Sequence, residues 1–215
     1  MTFLVVLIGW VFSLCLHEFS HALVAYYGGD TTVREKGYLT FNPLKYTHPV
    51  YSLVLPLLFL VLGGIGLPGG AVYIETWRLR SRGWVSAVSL AGPASNLVLA
   101  ILLGIVLRFA PPNAGGVWPG LAFLAFLQVS ALVLNLLPVP PFDGFGALEP
   151  HLPMSMRTSM AQVRGMLPFV VFFVLWYVPF VNAGFWGVVL FLARSVGVPF
   201  QLVQLGLRGF QFWIR

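Results

Sequence analysis

Long apolar blocks alternate with short polar, glycine-rich or proline-rich breaks along this chain, and block length predicts the elements. A bilayer core about 30 Å thick needs roughly 20 helical residues to cross it. Thr2–Tyr27, Trp84–Phe109, Val117–Leu137 and Leu167–Leu192 reach that length and predict spanning helices. Tyr51–Gly66 falls short, holds Pro56 and ends in Gly63-Gly64-Ile65-Gly66, which favours a re-entrant segment over a full span.

Between the blocks the pattern changes period. Gly28-Gly29-Asp30 stops the first helix. Thr31 to Asn42 mixes polar residues with the β-prone Val33, Tyr38, Leu39, Thr40 and Phe41, predicting a short hairpin around Gly37 that Asn42-Pro43 closes. Ala71-Val72-Tyr73-Ile74 predicts a second brief strand. In the tail, Gln201, Gln204, Arg208, Gln211 and Arg215 recur three and four apart on one helical stripe. That predicts an amphipathic helix in 196–215, lying in the membrane interface or turning its polar seam to the bundle, with the interface favoured. The expected fold class is an all-α polytopic membrane protein. Its helical transmembrane bundle, within residues 1–195, carries short membrane-associated β-strands and a re-entrant segment.

Composition supports the membrane reading. The chain is 59% hydrophobic and 8% charged, with mean hydropathy +0.90, where ordinary soluble domains carry about 25% charged residues. The net charge of +6 does not point to nucleic acid, because the basic residues are scattered through loops and tail, as an inner-leaflet preference would place them. The partner it implies is the lipid bilayer. Cys15 is the one cysteine, which excludes an intramolecular disulfide, and it reads as helix packing. The first segment lacks a basic n-region and a small-residue cleavage site, so it is expected to be retained.

The chemistry concentrates in His17-Glu18-Phe19-Ser20-His21. Histidines four apart lie one turn apart on one helix face, where both imidazoles can bind one metal ion. Glu18 can then act as general base toward a water that the metal activates, the physical content of the H-E-x-x-H pattern of zinc peptidases. As mere core residues these groups would strand a carboxylate in an apolar helix, which is costly.

A catalytic zinc needs a third protein ligand. Asp30, Glu35, Glu75, Glu149 and His48 fall in polar loops and read as solvated. Asp143 directly follows an apolar span and the break Pro138-Val139-Pro140-Pro141, where a carboxylate at membrane depth needs a partner. His151 is the alternative. For Asp143 to share a face with the pentad, Tyr51–Gly66 must dip in and return. That arrangement also gathers Arg34, Lys36, Lys45, Arg78, Arg80, Arg82, Arg157 and Arg164 on one face, which the positive-inside rule makes cytoplasmic.

These residues resemble the site-2 protease family, the intramembrane zinc metalloproteases. His17-Glu18-Phe19-Ser20-His21 matches its zinc motif, and Asn135-Leu136-Leu137-Pro138-Val139-Pro140-Pro141-Phe142-Asp143-Gly144 resembles its N-x-x-P-x-P-x-x-D-G signature. Gly92-Pro93-Ala94-Ser95-Asn96 resembles its G-P-x-x-N segment. Phe41-Asn42-Pro43-Leu44-Lys45 is similar to a stretch of short bacterial members, and the motifs come without a PDZ or CBS domain. Phe142 departs mildly from the aliphatic residue common before the Asp-Gly. The resemblance implies that His17, His21 and Asp143 bind one Zn2+ per chain and that Glu18 is catalytic. It also implies that Asn96 and Asn135 lie near the site, orienting substrate or the tetrahedral intermediate. The implied activity is hydrolysis of a peptide bond within or near a transmembrane helix of a membrane-protein substrate, in a bacterial cell membrane with the site toward the cytoplasm. The strands around Val33–Phe41 and Ala71–Ile74 would hold an unwound substrate as an added strand. The rival is a non-catalytic membrane metal binder or transporter, disfavoured because the ionisable groups cluster at one depth.

Overall fold

The computed structural model describes residues 1–46, 72–211 and 213. Three long helices form its centre: α1 (Thr2–Gly28), α3 (Arg82–Leu107) and α4 (Trp118–Asn135). A single turn, α2 (Thr32–Glu35), follows α1, and a short α5 (Asp143–Leu148) follows α4. Then come α6 (Met154–Val163), α7 (Leu167–Tyr177), α8 (Pro179–Ser195) and α9 (Phe200–Phe210). By length and apolar composition α1, α3 and α4 can each cross a membrane, and the bent pairs α6–α7 and α8–α9 bring the number to as many as five. The chain is a multi-pass membrane protein.

The buried face of α1 is not its most apolar face. Val6, Trp10, Ser13, Leu14, His17, His21, Ala25 and Gly28 recur every three or four residues and are buried, while Leu4, Ile8 and Phe12 point outward. Lipid is as apolar as leucine, so small and polar residues mark the packed stripe of a membrane helix. Helix α4 is the most enclosed, with Phe123, Leu127, Gln128, Val129 and Leu134 nearly free of exposure. Gln128 keeps its amide at this depth by donating to Ser13 Oγ on α1 (3.0 Å), and that hydroxyl donates in turn to the Trp10 carbonyl.

The expected β-strands are corrected: no strand occurs among the described residues. In the Thr31–Asn42 stretch, the Asp30 carboxylate accepts the Thr32 N–H and hydroxyl and starts α2 instead of a hairpin. Val33 and Tyr38 are buried in one cluster with Ala22 and Ala25 of α1, so their β-propensity serves packing. Gly37 does make a turn, with φ +75. Val72–Glu75 forms no strand, and side chains bind its backbone polar groups. Val72 N–H donates to Glu18 Oε2 (3.1 Å), Glu75 N–H to Asp30 Oδ2 (2.8 Å), and Lys36 Nζ to the Tyr73 carbonyl (3.3 Å). With no strand among the described residues, capture of substrate as an added strand has no support here. The re-entrant expectation for Tyr51–Gly66, and Ala71, lie outside the described residues.

Leu167–Leu192 also differs from the single span expected. It is two helices broken at Val178, whose extended backbone precedes Pro179. Pro179 has no N–H for the Leu175 carbonyl, and Asn182 Nδ2 supplies that donor instead (2.8 Å).

Helix α9 lies across α4 and the start of α1. Val203, Gly206 and Phe210 face inward, and Phe210 stacks on Phe3 with ring centroids 5.3 Å apart. Gln201, Gln204 and Arg208 are exposed, so the polar stripe faces away from the bundle. Gly206 lets α9 touch α4, since a methyl group there would overlap the Pro119 carbonyl and Phe123. Gly206→Ala is therefore expected to push α9 outward at a cost of about 1–3 kcal/mol. Thermal unfolding in detergent should show a lowered Tm, with Gln204→Ala unchanged.

Candidate metal centre

The pentad sits in the packed half of α1, so His17, Glu18 and His21 are all buried. The break after α4 turns the chain back, and α5 begins with Asp143 facing the two imidazoles. His17 Nε2 stands 3.0 Å from His21 Nε2 and 3.2 Å from Asp143 Oδ2, and His21 Nε2 stands 3.5 Å from Asp143 Oδ1. Among the described residues this is the one cluster of three or more metal-ligating side chains.

The outer nitrogens show why the triangle fits a metal. His21 Nδ1 donates to the Val88 carbonyl (2.6 Å), and His17 Nδ1 donates to Asn96 Oδ1 (3.2 Å). With both protons held there, each Nε2 presents a lone pair, and both face the Asp143 carboxylate. Three electron-rich atoms converge with no donor among them, an arrangement a cation stabilises. Ligands about 2.0–2.1 Å from a tetrahedral zinc stand roughly 3.3–3.4 Å apart, close to the distances here. Two imidazoles and a carboxylate suit zinc, and partners on the second ring nitrogen are what metal-bound histidines ordinarily have.

Helix α3 provides this support because of its local sequence. The Val88 carbonyl, one turn before Gly92, takes the His21 proton. Gly92 brings the helix backbone against both rings, leaving no room for a side chain. Asn96, one turn on, holds His17.

The centre opens into a cavity of about 1070 Å³, lined also by Asn135, Val72 and Tyr73. Glu18 reaches this cavity with Oε2 held by the Val72 N–H. Asn135 is buried at the cavity wall. Asn96 differs. It lines a small cavity with Trp10 and Ser13 and contacts His17, so it orients that ring and does not face the large cavity.

His151, the alternative third ligand, is elsewhere: its Nε2 lies 3.0 Å from Ser86 Oγ, pinning the turn after α5 to α3. Asp30, expected to be solvated, is fully buried and anchors both α2 and Glu75. Glu75 in turn pairs with Lys36 and Arg78, and hydrogen bonds from Arg78 first and Lys36 second hold its carboxyl below the usual range. Gly29-Asp30-Thr31-Thr32 is the only local sign in the sequence of this buried anchor and charge cluster.

A protein of Mycolicibacterium smegmatis named "Putative zinc metalloprotease Rip2" is 50% identical over 98% of this chain and 81% of its own length. The Mycobacterium tuberculosis protein of that name is 48% identical over the same shares. The chain belongs to the site-2 protease family of zinc metalloproteases. A more distant Bacillus subtilis relative, "Putative zinc metalloprotease YwhC", is 32% identical over 81% of this chain and 84% of its own. No family model matches the chain, and no solved structure matches it significantly. Membership in the site-2 protease family agrees with the zinc that the donor triangle suits.

Proposed function

We propose that this chain is an intramembrane zinc endopeptidase that cleaves a peptide bond within or near a transmembrane segment of a membrane-protein substrate. The observation that carries the reading is the position of His17, His21 and Glu18 inside a helix apolar enough to span a bilayer, with Asp143 of α5 against them, at the wall of a large cavity. His17, His21 and Asp143 would hold one zinc ion. When bound, zinc supplies Lewis acidity that makes water a nucleophile near neutral pH and polarises the scissile carbonyl.

The chain's own residues supply the rest. Glu18 takes the proton from the attacking water and returns it to the leaving amine nitrogen. The Val72 N–H fixes one of its oxygens at the cavity wall. Asn135, at the wall, orients the substrate carbonyl. Asn96 and Val88 hold the histidine rings in the tautomers that leave Nε2 free. A substrate helix hides its amides in its own hydrogen bonds, so it must unwind within the cavity before attack. Basic residues such as Arg34, Lys36, Arg78, Arg80 and Arg82 support a site toward the cytoplasmic face of a bacterial membrane, by the positive-inside rule.

Glu18→Gln tests the proposal. It keeps size and hydrogen bonding but cannot take a proton. The expected result is normal metal content with cleavage of a transmembrane peptide reduced by roughly 10³-fold or more. Unchanged cleavage would remove Glu18 from the mechanism. A protein that binds metal but cleaves no membrane substrate in either form would favour the metal-binding rival.

A further inference from the structure

Three arginines share the cavity with the metal centre: Arg82 at the start of α3, and Arg157 and Arg164 on α6 and its end. Positions 157 and 164 are seven apart, so both lie on one stripe of α6, about 10 Å apart along its axis. None of the three makes an ion pair among the described residues. Beyond the centre itself, Glu149 is the other acid lining the cavity. Its outer part therefore carries three positive groups against one negative, while the two carboxylates of the centre balance a divalent ion.

A general inner-leaflet preference does not account for this set. Arg34, Lys36, Lys45, Arg78 and Arg80 satisfy that preference on the same face without lining the cavity, and Lys36 and Arg78 are already paired with Glu75. Arg82, Arg157 and Arg164 instead border the space a substrate must enter, where a lipid headgroup would obstruct cleavage.

We infer that Arg82, Arg157 and Arg164 select substrates whose chain carries a run of acidic residues just inside the membrane from the cleaved segment. The inference rests on the protease reading above and names its substrate class. The 10 Å between the two α6 arginines corresponds to roughly three residues of extended chain, so a short acidic run can engage both. The same charges discriminate against other chains. Ordinary membrane proteins carry Lys and Arg on their cytoplasmic flanks, and a positive cavity mouth repels them.

The test uses the full-length protein in nanodiscs of neutral phosphatidylcholine. Three fluorescent single-span peptides differ only in the inner flank: Asp-Glu-Asp-Glu, Asn-Gln-Asn-Gln or Lys-Arg-Lys-Arg. Binding is read by anisotropy on the Glu18→Gln protein, and cleavage on the unmodified one. The expected result is acidic-flank affinity at least tenfold above basic-flank affinity, reduced by 0.5 M salt and reversed in order by Arg157→Glu with Arg164→Glu. The double variant should keep its metal and its elution volume. Equal affinities, no binding of any peptide, or a preference that survives the double variant would overturn the inference. So would an effect of the arginines seen only with phosphatidylglycerol present, which would assign them to a lipid headgroup. Cleavage regardless of flank overturns the inference and leaves the protease reading intact; charge-ranked binding without cleavage does the reverse.

Discussion

Gly92→Ala is expected to abolish metal binding and proteolysis together, although Gly92 donates nothing to either. A methyl group on Gly92 would overlap His21 Nε2 and His17 Nε2, the two atoms whose lone pairs form the donor triangle. Either the rings rotate away or α3 backs off α1, and each outcome breaks the geometry. Rotation also costs the His21–Val88 and His17–Asn96 hydrogen bonds that set the tautomers. Loss of outer support alone typically lowers metal affinity about 10–100-fold. Displacing both donors should exceed that, leaving substoichiometric metal and cleavage below detection. Elemental analysis of the purified protein checks the first, and a transmembrane-peptide assay the second. Gly83→Ala in the same helix is the control, because a methyl there meets only Ser81 Oγ at ordinary contact distance. Full metal content in Gly92→Ala would mean that the rings do not hold a metal through Nε2.

The residues that sequence made legible share one physical property: they are polar groups in apolar helices. His17, Glu18, His21 and Asp143 cost free energy at membrane depth unless they act together, so type and position pointed to them, whereas Asn135 came from the family resemblance. Asn96, Gln128 and Asn182 are likewise large polar groups in apolar segments, yet sequence does not say what each satisfies. One orients a ring, one ties α4 to Ser13, and one caps a carbonyl that Pro179 leaves free.

The misreadings arose where local propensity competed with tertiary partners. Val33, Tyr38 and Phe41 favour strands, but a strand needs a neighbour. Val33 and Tyr38 are buried against α1, and Phe41 stacks on Phe12 and Phe19 at centroid distances of 5.8 and 4.9 Å. Around Val72–Glu75 no strand forms, and Glu18, Asp30 and Lys36 take up hydrogen bonds of the backbone there. Asp30 looked solvated because its acceptors are filled by backbone groups and Thr32, one of them forty-five residues away at Glu75. No local pattern announces a contact of that range. The uninterrupted apolar run of Leu167–Leu192 hid its break for a different reason: lipid compatibility is blind to Pro179, whereas the helix hydrogen-bond ladder is not.

Asp143→Ala should cost the centre its metal, and His151→Ala should not. Removing the carboxylate leaves two imidazoles and takes away the one anionic ligand of the triangle. Affinity is expected to fall by more than 100-fold, beyond the usual effect of losing an outer-shell partner, and activity with it. Asp143→Asn separates charge from shape: it keeps an oxygen in place, so metal recovered only at high zinc concentration would show that the negative charge supplies the binding strength. His151 is the informative control, since it is the one other described histidine. Its alanine variant loses the hydrogen bond to Ser86, worth about 0.5–1.5 kcal/mol, and should appear as a small drop in Tm at full metal content. One metal per chain in the unmodified protein, absent in Asp143→Ala and present in His151→Ala, fixes the ligand set. Metal retained without Asp143 would require another oxygen within reach, and Glu18, buried in the same cavity wall, would become the ligand and cease to be the base.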